Sequence, residues 1–326
     1  MKMTDAAASL CVLLALLVVT GCGDSDSPVD TPPEPTGMVM TSNTTTGDPS
    51  NAVGYSYLDD NQYVLARSHA NVIRRIDVVA EDEPGVAQGF DLDGRVSEDG
   101  DPDSCNHGDL MSPDGQMGID NQLATMWTAL KPLVGDAVEA LLRGAINEGR
   151  IILVAELTDV DDIQNDDDVT FNLLRGILNP LVGTEGYISP DQTVLVDYDY
   201  PVATAENIQI IDGEFIAGPV QLEIPIDILT ASFTMTIPEG WIRAKIQPDG
   251  SFKGILGGAF DVPAVLNELY ETNAADEAYL VTPIFEENAD MGMVDGQCNF
   301  FSVAFHIEGA TAFVIRDSSR VFNATE

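Results

Sequence analysis

Residues 88–122 carry the side chains in this chain best suited to chemistry. The segment holds Asp91, Asp93, Glu98, Asp99, Asp101, Asp103, Asp109, Asp114 and Asp120, against a single cation, Arg95. Packed carboxylates repel one another, so an ordered segment of this kind either gathers them around a cation or splays them into water. The ligand set read from the sequence is Asp91, Asp93, Ser97, Glu98, Asp99, Asp101, Asp103 and Asp114. All eight offer hard oxygen donors, which suit calcium, and no open coordination position is evident, so the expected role of the ion is structural.

The spacing of Asp91-Leu92-Asp93-Gly94-Arg95-Val96-Ser97 resembles part of a dockerin or EF-hand calcium loop. The resemblance matches Asp91 and Asp93 to two acidic positions, Gly94 to the turn glycine, Val96 to the following apolar anchor and Ser97 to the ninth position. It covers only these residues. Gly89 stands where the first acidic ligand belongs and Gly100 where the last one belongs. The remaining ligands would then come from Glu98, Asp99, Asp101 or the second Asp-Gly turn at Asp114. The Asp-Gly turns are also locally similar to thrombospondin type 3 calcium loops.

Other groupings are weaker. Asp159 to Asp168 form a second acidic run, expected to be a surface loop between two strands. Three histidines are present, His69, His107 and His306. His306 shares a strand face with Ser302 and Glu308, and the sequence favours a solvated strand face over a Ser-His-acid set. No nucleophile-elbow, zinc-protease, phosphate-loop or dinucleotide motif occurs. Paired carboxylates for glycoside hydrolysis remain open, because any acidic chain supplies candidates.

At the N-terminus an apolar run from Ala6 to Val19 ends in Val19-Thr20-Gly21-Cys22 and is followed at once by a polar, Pro-rich stretch. The run is too short to span a bilayer and has the length of a signal-peptide core. The Gly-Cys ending resembles the lipobox of bacterial lipoproteins. That resemblance implies removal of residues 1–21, lipidation of Cys22 and attachment to the membrane through acyl chains of the palmitate type. Gly23, rather than Asp, after the Cys implies the outer membrane more than the inner.

The formal net charge is −40, from 54 acidic and 14 basic residues. Phosphate backbones would be repelled, so no nucleic-acid partner is expected. Anionic lipid would be repelled as well, which leaves the N-terminal lipid as the membrane contact. With 44% apolar residues the chain has material for a core. Apart from Cys11 and Cys22, the cysteines are Cys105 and Cys298, an even pair for an oxidising compartment, and they are expected to form a disulfide. Chain-entropy models credit so long a loop with on the order of 5 kcal/mol.

These groups need elements to position them. Residues 22–52 are rich in Ser, Thr, Pro, Gly and Asp and lack apolar periodicity, and are expected to form a flexible linker reaching about 30 Å. Residues 53–326 read as one β-rich domain. Strands are expected around Tyr63–Ala66 and Val72–Val79, with Arg67, Arg74 and Arg75 pairing with the acidic loops beyond. Apolar residues at three- and four-residue steps predict an amphipathic helix from Asn121 to about Gly144, capped by Asp120 and kinked or split by Pro132 and Gly135. Strict alternation then marks strands at Val169–Leu173, Val194–Tyr200, Val220–Ile228, Phe233–Ile237, Ile242–Ile246 and Phe301–Ile307. Turns are expected at Asp212-Gly213, Pro238-Glu239-Gly240 and Pro248-Asp249-Gly250, and a shorter helix over Asp261–Glu271. The fold class is mainly β with α: an antiparallel β-sandwich or curled sheet, with one kinked amphipathic helix and one shorter helix packed on it.

The chain as a whole is similar to the predicted lipoproteins of Gram-negative bacteria, which bring no activity with them. The expected function is a lipid-anchored cell-envelope protein, a non-enzymatic binding or structural module with calcium-stabilised acidic loops, whose ligand is an envelope protein or glycan. The alternative is an envelope hydrolase acting on glycans or esters through carboxylates in a sheet cleft.

Overall fold

A computed structural model describes residues 53–58, 62–134, 136–228, 231–271 and 275–316. Residues 1–52, which include the expected signal sequence, Cys22 and the expected linker, lie outside the described residues. In chain order the elements are strands β1 (Val53–Leu58) and β2 (Gln62–Val78), β3 (Leu110–Met111) and β4 (Met117–Ile119), then helices α1 (Gln122–Val134) and α2 (Ala137–Asn147). There follow β5 (Leu153–Thr158), β6 (Asn165–Ile177), β7 (Gln192–Val196), β8 (Ala203–Ile211), β9 (Glu214–Ile228), β10 (Ala231–Ile246) and β11 (Phe252–Asp261). Helices α3 (Val262–Glu271) and α4 (Ala275–Asn288) and strands β12 (Met291–Val294) and β13 (Gln297–Ile315) complete it.

The chain is mainly β with α, and the curled sheet closes on itself. Strands β2, β5, β6, β8, β9, β10, β11 and β13 each pair antiparallel with the next, and β13 pairs back with β2. The result is an eight-stranded up-and-down barrel whose strands follow one another around the ring in sequence order. Among the described residues one pairing in the sheet is parallel: β7 runs alongside the end of β13, from Gln192↔Ala312 to Leu195↔Ile315. β7 also pairs with the end of β6.

Alternation along each strand separates inside from outside. Leu157, Phe171, Phe215, Ile246 and Phe252 converge in the interior, where a cavity of only about 10 Å³ remains among them. Eight strands leave a lumen that side chains can fill, and here they fill it. The outward positions Glu206, Gln209, Glu214, Gln221 and Lys245 face water on β8–β10. On β2 and β5 the outward residues Val72, Val154 and Glu156 are nonetheless buried. A Cβ on Gly176 would fall 2.4 Å from Val194 and 2.8 Å from Ile152, which locates β7 against this wall. Under that cover Arg316 forms a bidentate ion pair with fully buried Glu156.

Two polar side chains close the interior. His69 Nε2 donates to the Gly250 carbonyl at 2.7 Å, and Asn71 Nδ2 reaches the same oxygen at 3.2 Å. Burial pushes the His69 imidazole below its ordinary pKa, which keeps it neutral. The β10–β11 turn is thus tied into the barrel mouth.

Several sequence expectations change, though the helix from Asn121 is split into α1 and α2 as expected, with Pro132 kept inside α1. Its cap is Asn121, whose Oδ1 accepts from Ala124 N, not Asp120. Pro238-Glu239-Gly240 is no turn. β10 runs through it with register shifts at Gly240, where Pro238 has no ladder hydrogen to lose and a Cβ would strike Leu222 at 2.2 Å. Tyr198 and Tyr200 lie beyond the end of β7. Helix α4, with Pro283 in its interior, adds a fourth helix that apolar periodicity does not announce. Arg74 and Arg75 pair with Glu308 and Asp77 rather than with the acidic loops; the side chain of Arg67 lies outside the described set.

Phe171 is fully buried and packs on Phe215 with ring centroids 5.8 Å apart. Phe171→Ala is expected to cost about 3–5 kcal/mol, because the surrounding wall cannot collapse into the space. Urea or guanidinium unfolding checks this: the midpoint should fall sharply with the slope unchanged.

Candidate functional site

The acidic segment forms a lobe on the outside of the barrel. Ala87, Leu110 and Ile119 from the lobe pack with Val79, Ala124, Ile255 and Ala304 in one small apolar cluster. Phe90 is the principal contact with the wall: its ring lies 6.4 Å from that of Trp241, and the Arg243 guanidinium sits 5.7 Å from its centroid. A Cβ on Gly257 would meet the Phe90 ring at 2.8 Å, so β11 has a bare position where the ring lands. The Cys105–Cys298 disulfide, with Cα atoms 6.0 Å apart, fastens the far side of the lobe to the start of β13. His107 Nε2 bonds to the Glu287 carbonyl beside it.

Within the lobe the side chains of Asp91, Asp93 and Asp120 converge, each offering a carboxylate oxygen within 4.8 Å of the others. Asp91 and Asp93 are exposed, whereas Asp120 is only 5% exposed. The Asp91–Gly94 turn explains the first two. Gly94 N donates to Asp91 Oδ1 at 2.7 Å, Arg95 N donates to Asp93 Oδ1 at 2.9 Å, and Gly94 takes a left-handed φ of 75° that suits glycine. Asp120 comes from the end of β4. Its amide bonds to the Phe90 carbonyl, and its Oδ2 accepts from Leu92 N at 2.6 Å.

Two glycines permit this approach. A Cβ on Gly89 would lie 2.6 Å from Ile119 Cγ2, and one on Gly118 would lie 2.5 Å from the Arg95 carbonyl oxygen. Gly89 is the position where the calcium-loop resemblance lacks its first acidic ligand. An aspartate there would clash with Ile119, and Asp120 brings a carboxylate into the loop from the neighbouring strand. Sequence reasoning missed Asp120 by assigning it to the helix cap. The available signal was the pair of glycines flanking the segment, at Gly89 and Gly118.

The other residues of the sequence-derived ligand set are placed elsewhere in the lobe. Ser97 is buried and its amide donates to Asp109 Oδ2. Glu98 contributes its carbonyl to a turn with Asp101 N. Asp99 accepts from Gly108 N, Asp101 caps the short 3-10 turn Pro102–Ser104, and Asp103 approaches Arg95 at 3.8 Å. Asp114 accepts from the Ser112 hydroxyl. Val96, expected as an apolar anchor, is 57% exposed.

Behind Asp120 two further carboxyls face the same narrow cavity, Asp109 and Asp290. Asp290 Oδ2 accepts from the Ser302 hydroxyl at 2.5 Å and its Oδ1 from Ser302 N at 2.9 Å. Ser302 Oγ in turn accepts from Gln122 N at the start of α1. The hydroxyl is therefore engaged with a carboxylate and a helix end, and His306 is not its partner. Burial raises the carboxyl of Asp120 to about 8, with the charges of Asp93, Asp109 and Asp290 adding to it. Burial likewise raises Asp290 to about 7 and moves Asp109 upward. The second acidic run behaves differently. Asp166 accepts from Asp161 N, Asp162 N and Asp168 N, which hold its carboxylate below the ordinary range despite some desolvation. The run is thus a loop only up to β6, which starts at Asn165, and the backbone amides satisfy its central charge.

In chelator, Asp120 and Asp290 hold protons when folded that they release when unfolded. The folded chain therefore binds more protons between about pH 4 and pH 7–8, and stability falls as pH rises through that window, by up to about 1.4 kcal/mol per pH unit for each group. Urea midpoints measured in EDTA should be lower at pH 8 than at pH 6, and Asp290→Asn should flatten the slope. Equal slopes in the two proteins would show that Asp290 does not titrate in this window.

No family model, curated protein or solved structure matches the chain, so its functional reading rests on this geometry.

Proposed function

We propose that the protein is a lipid-anchored cell-envelope binding module whose side lobe is clipped shut by a divalent cation of the calcium class. In this reading residues 1–21 are removed, Cys22 carries the acyl chains, and the 22–52 linker holds the barrel off an outer membrane. The observation that carries the cation is the convergence of Asp91, Asp93 and Asp120. Exposed Asp91 and Asp93 have room for water ligands beside them, which suits the six to eight oxygens that calcium takes. A cation there would offset the cost of burying Asp120 as an anion and would lower its pKa. The role is structural: it joins the Asp91–Arg95 loop to the end of β4.

The packed barrel interior supports a binding or structural module over a hydrolase working inside the sheet, since the lumen leaves space for about one water molecule. A ligand would meet the outer wall and the lobe.

Calcium at a hundredfold excess over its dissociation constant should raise the melting midpoint by about 5 °C relative to EDTA. Asp120→Asn should abolish that increment while leaving the chelated protein at least as stable at pH 8, because it removes a charge that burial disfavours. A calcium increment that survives in Asp120→Asn would place the ion elsewhere. For the anchor, cells fed a labelled fatty acid should incorporate it into the wild-type chain and not into Cys22→Ser, and the variant should leave the membrane fraction. Equal labelling of both proteins would end the lipoprotein reading.

A further inference from the structure

The outer barrel wall carries a second constellation, separate from the carboxylate triad. Strand register sets Arg75 of β2 opposite Glu308 of β13, Glu308 opposite Lys253 of β11, and Lys253 opposite Lys245 of β10. The row below it sets Asp77 opposite His306. Arg74 joins at the irregularity in β2 and bonds to Glu308, which Lys253 also approaches at 3.6 Å. Arg243 lies on the same wall beneath Phe90. Five of the 14 basic residues of a chain with net charge −40 thus gather on neighbouring positions of three strands.

A groove of about 440 Å³ opens over this wall, within the size range of small-molecule sites. Arg75, Asp77, Lys253, His306 and Glu308 line it, and Gln88 of the lobe forms its rim. The Arg75 and Lys253 side chains stay 46% and 63% exposed, whereas Glu308 is only 16% exposed. The Arg75 and Lys253 heads therefore reach the opening while each also meets a carboxylate, Arg75 that of Asp77 and Lys253 that of Glu308, which Arg74 already holds. His306 is held below its ordinary pKa by burial, partly opposed by Asp77 and Asp82 and reinforced by Arg75, so a neutral imidazole offers one donor and one acceptor.

We propose that this groove binds an acidic sugar unit, a polyhydroxylated ring bearing one carboxylate. Arg75 and Lys253 take the carboxylate through charge-assisted bonds. Asp77 and Glu308 offer acceptors, and His306 and Gln88 offer both donors and acceptors, to the hydroxyl groups of the ring. A polyanion is disfavoured by the field of the whole protein, which limits the charge that this local patch can recruit. The inference names the ligand class of the binding-module reading and rests on that reading, but it does not need the cation: the calcium increment and the sugar titration can fail independently.

The chain has three histidines, so imidazole C–H resonances report on the groove with little overlap. Glucuronate is titrated at fixed pH into the full-length protein in calcium-containing buffer, with glucose and acetate as controls. The expected result is a saturable shift of the His306 signal with glucuronate, a much weaker one with acetate and none with glucose, while buried His69 stays still. Lys253→Glu, at an exposed position outside the packed core, should weaken the glucuronate response about tenfold or more, and Arg75→Gln should do the same. An unmoved His306 signal, an equal response to glucose, or undiminished binding by Lys253→Glu would each overturn the proposal.

Discussion

The pairing of β13 with β2 is the interaction on which the rest of the molecule depends. It joins the first barrel strand to the last across more than two hundred residues, from Val78↔Phe305 to Asn71↔Thr311. Without it β2 and β13 would be open edges, with unpaired amides and carbonyls along each. With it the sheet has a defined inside, and side-chain volume on that inside must sum to a filled lumen. β13 extends past the closure at both ends. Its N-terminal end holds Cys298, Ser302 and the partner strand β12; its C-terminal end supports β7. The lobe, helices α1, α3 and α4 and the β7 layer are all fastened to this one strand, whereas α2 packs on β2.

Much of the wall could be read along the chain, because a barrel strand has one buried and one solvated face. The alternation of Val169, Phe171 and Leu173, or of Phe215, Ala217 and Leu222 around a bulge, follows from that asymmetry. Closure could not be read, since the β2–β13 register depends on partners remote in sequence. Local punctuation also misled at Gly240. A Pro-Glu-Gly triplet normally marks a turn, yet here the glycine is required by the Leu222 side chain on the facing strand. Helix α4 hid behind Pro283 and a weakly amphipathic composition.

The candidate site was half visible for a similar reason. Asp91, Asp93 and Gly94 make a local turn, so their spacing carries the information. Asp120 reaches them only because β4 folds back, and its contacts with Leu92 N and the Phe90 carbonyl belong to tertiary structure. The density of acid in 91–114 drew attention to residues that serve the loop itself. Asp101 caps a 3-10 turn, Asp99 holds Gly108 N, and Asp114 holds Ser112. Carboxylates that accept backbone amides are building turns, and no count of acidic residues separates these from ligands.

The carboxylate triad and the wall groove share one structural cause. Phe90 seats the lobe on Gly257 and Trp241; Asp91 follows it in the chain and Gln88 precedes it by two residues. Asn121 Nδ2 fixes the Gln88 carbonyl at 2.8 Å, immediately after Asp120 in sequence. The rim of the groove and the buried carboxylate are thus positioned by adjacent residues on the same two segments. Asp93, Asp109, Asp120 and Asp290 crowd those segments with acidic groups, which raises the pKa of Asp120, and the disulfide and the Phe90 contact hold the segments together. The contacts that hold Asp91 and Asp93 near Asp120 are therefore the same contacts that place Gln88 beside the barrel wall.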